Sequence, residues 1–180
     1  MLIKHPLAGI YAASLTPLKN DFTLDLEPVP SYLCFLANRG CHGTLLLGTT
    51  GEGPSFSPRE REDLFKVAVA VRQEHPDFRL LAGTGTPSLQ ETIDLNKAAF
   101  NAGFEGVVVL PPFYFRKASE EGLFKWFDAV ICQSVPDGKY LLGYHIPGVS
   151  GVALSLDLLA RLKDAHPLKF AGIKDSSHSI

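Results

Sequence analysis

Residues 43–53 read GTLLLGTTGEG, an apolar run that stops in two threonines set among three glycines. A run with no polar alternation suits a strand buried on both faces, as in a parallel sheet covered by helices. Thr49 and Thr50 then stand at the carboxyl end of that strand. Similar runs recur at 9–14, 80–83, 106–110, 140–144 and 170–174, with GVVVL and YLLGY the clearest.

The segments between these runs carry helix signals. Ser57, Pro58 and Glu60 form a capping box, after which Leu64, Val67, Ala68 and Val71 keep one apolar face. The same start recurs from Ser88 to Glu91. Farther on, Leu123, Trp126, Phe127, Val130 and Ile131 follow helical spacing, and these aromatics read as core rather than as a ligand box. A first helix is expected over 27–38 and a fifth over 155–163. The pattern is strand and helix repeated five times, then a sixth strand, with no Pro-, Gly- or Ser-rich linker, so residues 1–180 form one α/β unit. Two architectures fit it. One is an open doubly wound sheet; the other is about the first six strands and five helices of a (β/α)8 TIM barrel, since a whole barrel takes about 250 residues. Periodicity does not separate them.

Composition excludes several classes. The 180 residues are 46% hydrophobic and 20% charged with a net charge of -2, and the basic residues are scattered, so no nucleic-acid surface is expected. No apolar run approaches the roughly 20 residues that span a bilayer. The start, MLIKHPLAGIYAAS, lacks the apolar core of a signal peptide, which points to the cytoplasm. Cys34, Cys41 and Cys132 are odd in number and follow neither CxxC nor a His-rich spacing, so buried, reduced thiols are expected, with neither disulfide nor zinc.

In both architectures ligands bind just beyond the carboxyl ends of the strands. Residues 48–53 are not a phosphate-binding P-loop, because no Lys-Ser or Lys-Thr follows the last glycine. Gly83-Thr84-Gly85 is half a dinucleotide fingerprint, with Ser88 where a glycine belongs, and the next strand ends in Pro111-Pro112 rather than in a ribose-binding acid. A nucleotide cofactor is therefore not expected. Lys174 closes the apolar FAGIK. An amine held in a poorly hydrated interior loses its proton more easily and becomes nucleophilic enough for a Schiff base; the plainer alternative is a lysine that snorkels to water. Tyr144 ends the neighbouring run, where a phenol can pass protons beside an imine or simply cap the rim. Thr49, Thr50 and the backbone N–H groups near Gly48 and Gly51 suit a carboxylate, unless the glycines serve only a tight turn.

Taken together, GTTGEGPSFS, LPPFY, YHIPGVSG and GIKDSS, in this order and at these separations, resemble the dihydrodipicolinate synthase and N-acetylneuraminate lyase family of class I aldolases. Thr16-Pro17 followed by DFTLD resembles the family's opening strand and loop. The resemblance implies a (β/α)8 barrel with a small helical domain after it, and a homodimer or tetramer. It implies that Lys174 forms the Schiff base with pyruvate, Tyr144 and Thr49 move the proton, and Thr50 with Gly48 and Gly51 holds the carboxylate. It also implies that Tyr114 reaches across a dimer interface, and that the chemistry needs neither metal nor other cofactor. The partner substrate is an aldehyde, or a 2-oxo acid cleaved to pyruvate and aldehyde.

Two departures accompany the resemblance. Val149 stands two residues after Pro147, where the synthases proper carry an arginine for the carboxylate of aspartate semialdehyde, so another, sugar-acid-like aldehyde is expected. His145 stands where asparagine is common. The chain also ends six residues after Lys174, short of two strands and the helical domain, and a six-stranded piece leaves open edges and a wetter lysine. The remaining alternatives are the synthase activity itself and a non-catalytic fragment that only associates with itself or with a complementary piece.

Overall fold

The computed structural model describes residues 5–177. Its strands are β1 (Tyr11–Ala13), β2 (Gly43–Leu46), β3 (Arg79–Gly83), β4 (Gly106–Val109), β5 (Tyr140–His145) and β6 (Phe170–Asp175). Its helices are α1 (Val29–Asn38), α2 (Pro58–Ala68), α3 (Leu89–Ala102), α4 (Glu120–Ser134), α5 (Pro147–Ser150) and α6 (Leu156–Ala165). All six expected strands form, and all are parallel.

Strand order decides between the two architectures. The sheet runs β1-β2-β3-β4-β5-β6, so each strand pairs with its neighbours in the chain. A doubly wound sheet reverses direction at a switch point, whereas a barrel keeps winding the same way. This sheet is the six-stranded arc of a (β/α) barrel.

Two apolar layers flank it. On the helix side, Leu33, Leu64, Phe65, Leu80, Phe104, Phe127 and Phe170 are each no more than 1% exposed. On the concave side, Leu45, Leu81, Val108, Tyr144 and Ile146 form a smaller cluster. Register builds that layer: Leu45 pairs with Leu81, and Val108 with Leu142. Both faces are thus apolar, which is why the strands read as unbroken apolar runs.

Helix starts follow their caps. The Ser57 N–H donates to the Glu60 carboxylate at 2.8 Å and the Glu60 N–H returns to Ser57 Oγ at 3.4 Å. Ser88 supplies the serine half of the same device, accepting the Glu91 N–H at 3.2 Å. α1 begins two residues later than expected, with Pro28 at its N-cap. A sixth helix, α5, was not expected: its single turn is too short to show a period, and it is set by Pro147 in its first turn and by Gly151 at φ 67 just past its end.

Between β3, α3 and α4 runs a buried polar relay. Thr84 Oγ1 donates to Asn96 Oδ1 at 2.6 Å, Asn96 Nδ2 donates to Ser134 Oγ at 2.9 Å, and Ser134 Oγ donates to the Val130 carbonyl at 2.6 Å. The Thr84 hydroxyl therefore braces the helix layer rather than facing a nucleotide. The cysteines depart from expectation: all three are free, but Cys34 and Cys41 are half-buried and Cys132 is exposed. Cys132 falls outside the α4 stripe of Leu123, Phe127, Val130 and Ile131 that packs on the sheet. Among the described residues no helix is long and apolar enough to cross a membrane.

Candidate active site

Parallel register places Tyr144 beside Lys174 across β5 and β6. Lys174 Nζ lies 3.9 Å from the centroid of the Tyr144 ring and donates to Ser176 Oγ at 2.9 Å. The Tyr144 hydroxyl lies 3.1 Å from Thr49 Oγ1, at the end of β2. Three strands distant in sequence thus deliver an amine, a phenol and an alcohol to one spot. Tyr144 is 4% exposed and Lys174 is half-buried.

Burial alone would raise the Tyr144 phenol above its usual pKa. Hydrogen bonding involving Lys174, Thr49 and Ser176, together with the charge on Lys174, outweighs burial and holds it below that value. A phenol so placed gives up its proton more readily, as a proton shuttle requires.

The threonine loop is built differently from a glycine turn. The residues with positive φ are Leu47 (56°) and Glu52 (53°), whereas Gly48, Gly51 and Gly53 are not among the left-handed glycines. The glycines serve close approach instead. A Cβ on Gly53 or on Gly83 would stand 2.2 Å from the Leu47 carbonyl oxygen, and one on Gly51 would stand 2.9 Å from the Ser14 carbonyl. Thr16 Oγ1 donates to the Gly51 carbonyl at 2.6 Å, tying the loop to the end of β1. Gly48 and Gly51 are buried, while Thr49 and Thr50 are exposed on the same loop. Of these four, Thr49 is the one hydrogen-bonded to Tyr144.

Tyr114 is not brought to this cluster. It is 76% exposed, with its ring edge-on to Phe115 at 5.3 Å, and it is Phe113 that lines the neighbouring cavity. That cavity, of about 330 Å³, is also lined by Gly48, Thr49, Arg61, Tyr144 and Val149. Arg61 and Ser176 are the residues that sequence reasoning missed. On α2 an arginine reads as part of the solvent face, yet Arg61 is only 5% exposed and its Nε donates to the Phe56 carbonyl at 3.1 Å. Burial pushes its guanidinium below its usual pKa, opposed by the charge on Glu91. Ser176 carried a signal, a hydroxyl two residues beyond the strand-closing lysine. His145 serves the structure, since its Nδ1 accepts the Leu154 N–H at 3.0 Å.

Among the described residues, two groups of metal-competent side chains occur elsewhere. Cys34, Glu74 and His75, and likewise Asp128, Cys132 and His166, bring ligand atoms within 4.8 Å of one another. Both lie toward the amino ends of the strands, away from Lys174.

A parallel sheet wound in chain order, with polar side chains converging at the carboxyl ends of its strands, defines a (β/α)-barrel protein. The chain belongs to the dihydrodipicolinate synthetase family, whose model matches residues 6–180. A DapA-like lyase of Chloroflexus aurantiacus, itself uncharacterized, is 42% identical over 170 residues, or 94% of this chain and 56% of that protein. Dihydrodipicolinate synthase from Agrobacterium tumefaciens superposes with a TM-score of 0.87 at 36% identity, over 95% of this chain and 59% of that one. YagE, a prophage protein of the same family from E. coli K12 solved in complex with pyruvate, gives a TM-score of 0.87 at 29% identity, over 96% and 56% of the two chains. The chain thus spans a little over half the length of the proteins it matches.

Proposed function

We propose that this chain carries the pyruvate-binding half of a class I aldolase or lyase. The observation that carries the reading is the contiguous set of the Lys174 amine, Tyr144 phenol and Thr49 hydroxyl, linked by contacts of 3.9 and 3.1 Å. The neutral Lys174 amine adds to the keto carbon of pyruvate, and loss of water leaves an imine. Removal of a methyl proton then gives an enamine, which attacks an aldehyde; cleavage runs the same steps in reverse. Tyr144, with Thr49 as relay, carries protons to and from the oxygen that leaves as water. Thr50 and the N–H groups around Gly48 and Gly51 hold the carboxylate.

The aldehyde side is read from Val149, which lines the cavity and cannot make a bidentate charged contact. A sugar-acid-like aldehyde fits better than aspartate semialdehyde. Residues 1–180 are one partial-barrel domain in this reading, and a dimer or tetramer partner meets the exposed Tyr114. The protein works in the cytoplasm.

Borohydride reduction in the presence of pyruvate tests the reading. A reduced pyruvyl adduct on Lys174, located by peptide mass mapping, is the expected result. A folded sample with no adduct on Lys174 would overturn it.

A further inference from the structure

Phe170 and Lys174 lie four residues apart on β6, and a regular strand points residues of even separation to the same face. Here they point to opposite faces. Phe170 is 1% exposed within the helix-side core, whereas the Lys174 amine lies over the Tyr144 ring on the concave side. The register explains the inversion: Leu141 pairs with Phe170, but the next residue, Leu142, pairs with Gly172. One extra residue, Ala171, is inserted in β6. Beyond it the ladder resumes in step, with Tyr144 opposite Lys174 and His145 opposite Asp175.

Gly172 sits at φ 142, a backbone conformation that L side chains rarely adopt. A Cβ built there meets nothing within 4 Å, so the requirement for glycine comes from the backbone and not from space. Bulges re-aim side chains in this manner, and a one-residue change of phase turns every later side chain over.

We propose that the Ala171–Gly172 bulge is a positioning device: it lets Phe170 stay in the helix-side core while turning Lys174 inward onto Tyr144. Gly172 is the positioning residue, acting through Lys174. With all of residues 170–174 in a regular ladder, β6 keeps either Phe170 or Lys174 on its proper face, not both. The chemical consequence rests on the imine-forming role proposed for Lys174, whereas the geometry does not.

The test reads geometry and chemistry separately. Reductive methylation with 13C-formaldehyde converts the lysines to dimethyl-lysines, and a methyl pair above an aromatic ring resonates upfield. In the native chain the Lys174 signal, assigned by its loss in Lys174→Arg, is expected upfield of the other lysines and is expected to return to them in Tyr144→Leu. In Gly172→Ala the upfield displacement is expected to vanish and borohydride trapping of pyruvate, on unmethylated protein, to fall by about 10²-fold, with circular dichroism unchanged. Deletion of Ala171 removes the extra residue and leaves Phe170 and Lys174 three apart in a regular ladder, on opposite faces with Lys174 still opposite Tyr144, so it is expected to keep both the upfield displacement and the trapping. If Gly172→Ala does not fold, the deletion decides, because a regular ladder without Ala171 must then hold Lys174 over Tyr144 with no need for glycine at 172. Upfield displacement retained in a folded Gly172→Ala overturns the proposal, and so does its loss in the folded Ala171 deletion or loss of the whole fold in both. A native chain that shows the displacement but forms no adduct overturns the lyase reading and leaves the positioning role standing.

Discussion

Lys174 and Tyr144 face one another in register, and the ammonium lies over the face of the ring, 3.9 Å from its centroid. The ring therefore orients the amine, while the hydroxyl stays available to Thr49. These two roles of Tyr144 can be separated experimentally.

Tyr144→Phe keeps the ring and removes the 3.1 Å contact to Thr49. Borohydride trapping of pyruvate on Lys174 is expected to survive. Exchange of the pyruvate methyl protons for deuterium, followed by proton NMR in heavy water, is expected to slow by about 10²–10⁴-fold, the usual contribution of a positioned acid–base group. Unchanged exchange would remove Tyr144 from the proton path.

The Tyr144 phenol is held below its usual value of about 10, against burial, by Lys174, Thr49 and Ser176. Between the lowered folded value and the ordinary unfolded one, the unfolded chain binds more protons, so stability rises with pH. That contribution is complete above the unfolded value and is lost as pH falls through the folded one. Denaturant melts from pH 7 to 10 should therefore show the native chain gaining on Tyr144→Phe as pH rises. Absorbance titration should move Tyr144 upward in Lys174→Met.

Gly83→Ala puts a methyl 2.2 Å from the Leu47 carbonyl oxygen, which is backbone and cannot swing aside. An overpacking cost of about 1–3 kcal/mol is expected, with displacement of the loop that bears Thr49. At Gly48 the nearest obstruction is a flexible leucine methyl at 3.1 Å, so Gly48→Ala should cost less. Equal losses in chemical denaturation would contradict the close-approach account.

Asn96→Ala cuts the relay that joins Thr84 to Ser134. Ser134 keeps its bond to the Val130 carbonyl, but the fully buried Thr84 hydroxyl loses its acceptor. A loss of about 1–3 kcal/mol is expected from the stranded group. Adding Thr84→Val removes that group, so the double variant should be less destabilised than the sum of the two single changes.

Much of this protein was legible in its sequence. The unbroken apolar runs announced strands covered on both sides, Ser57 with Glu60 announced a helix start, and the polar residues that close β2, β5 and β6 were legible as the ends of their strands. These signals are local, because propensity, capping and period act between residues close together in the chain. Tertiary structure decided the rest. Whether the strands wind on or turn back is a property of their pairing, which periodicity does not record; the resemblance implied a barrel, and the order from β1 to β6 shows it. The glycines of GTTGEG read as turn formers, yet the left-handed residues are Leu47 and Glu52, and the glycines admit the Leu47 and Ser14 carbonyls. Nothing local marks Arg61, which is enclosed by Phe56 and the cavity wall. Strict alternation along FAGIK would have put Lys174 on the face of Phe170, and only the register shift against Leu141 and Leu142 turns it toward Tyr144. In each case the deciding contact joins segments far apart in sequence, whose approach no local pattern records.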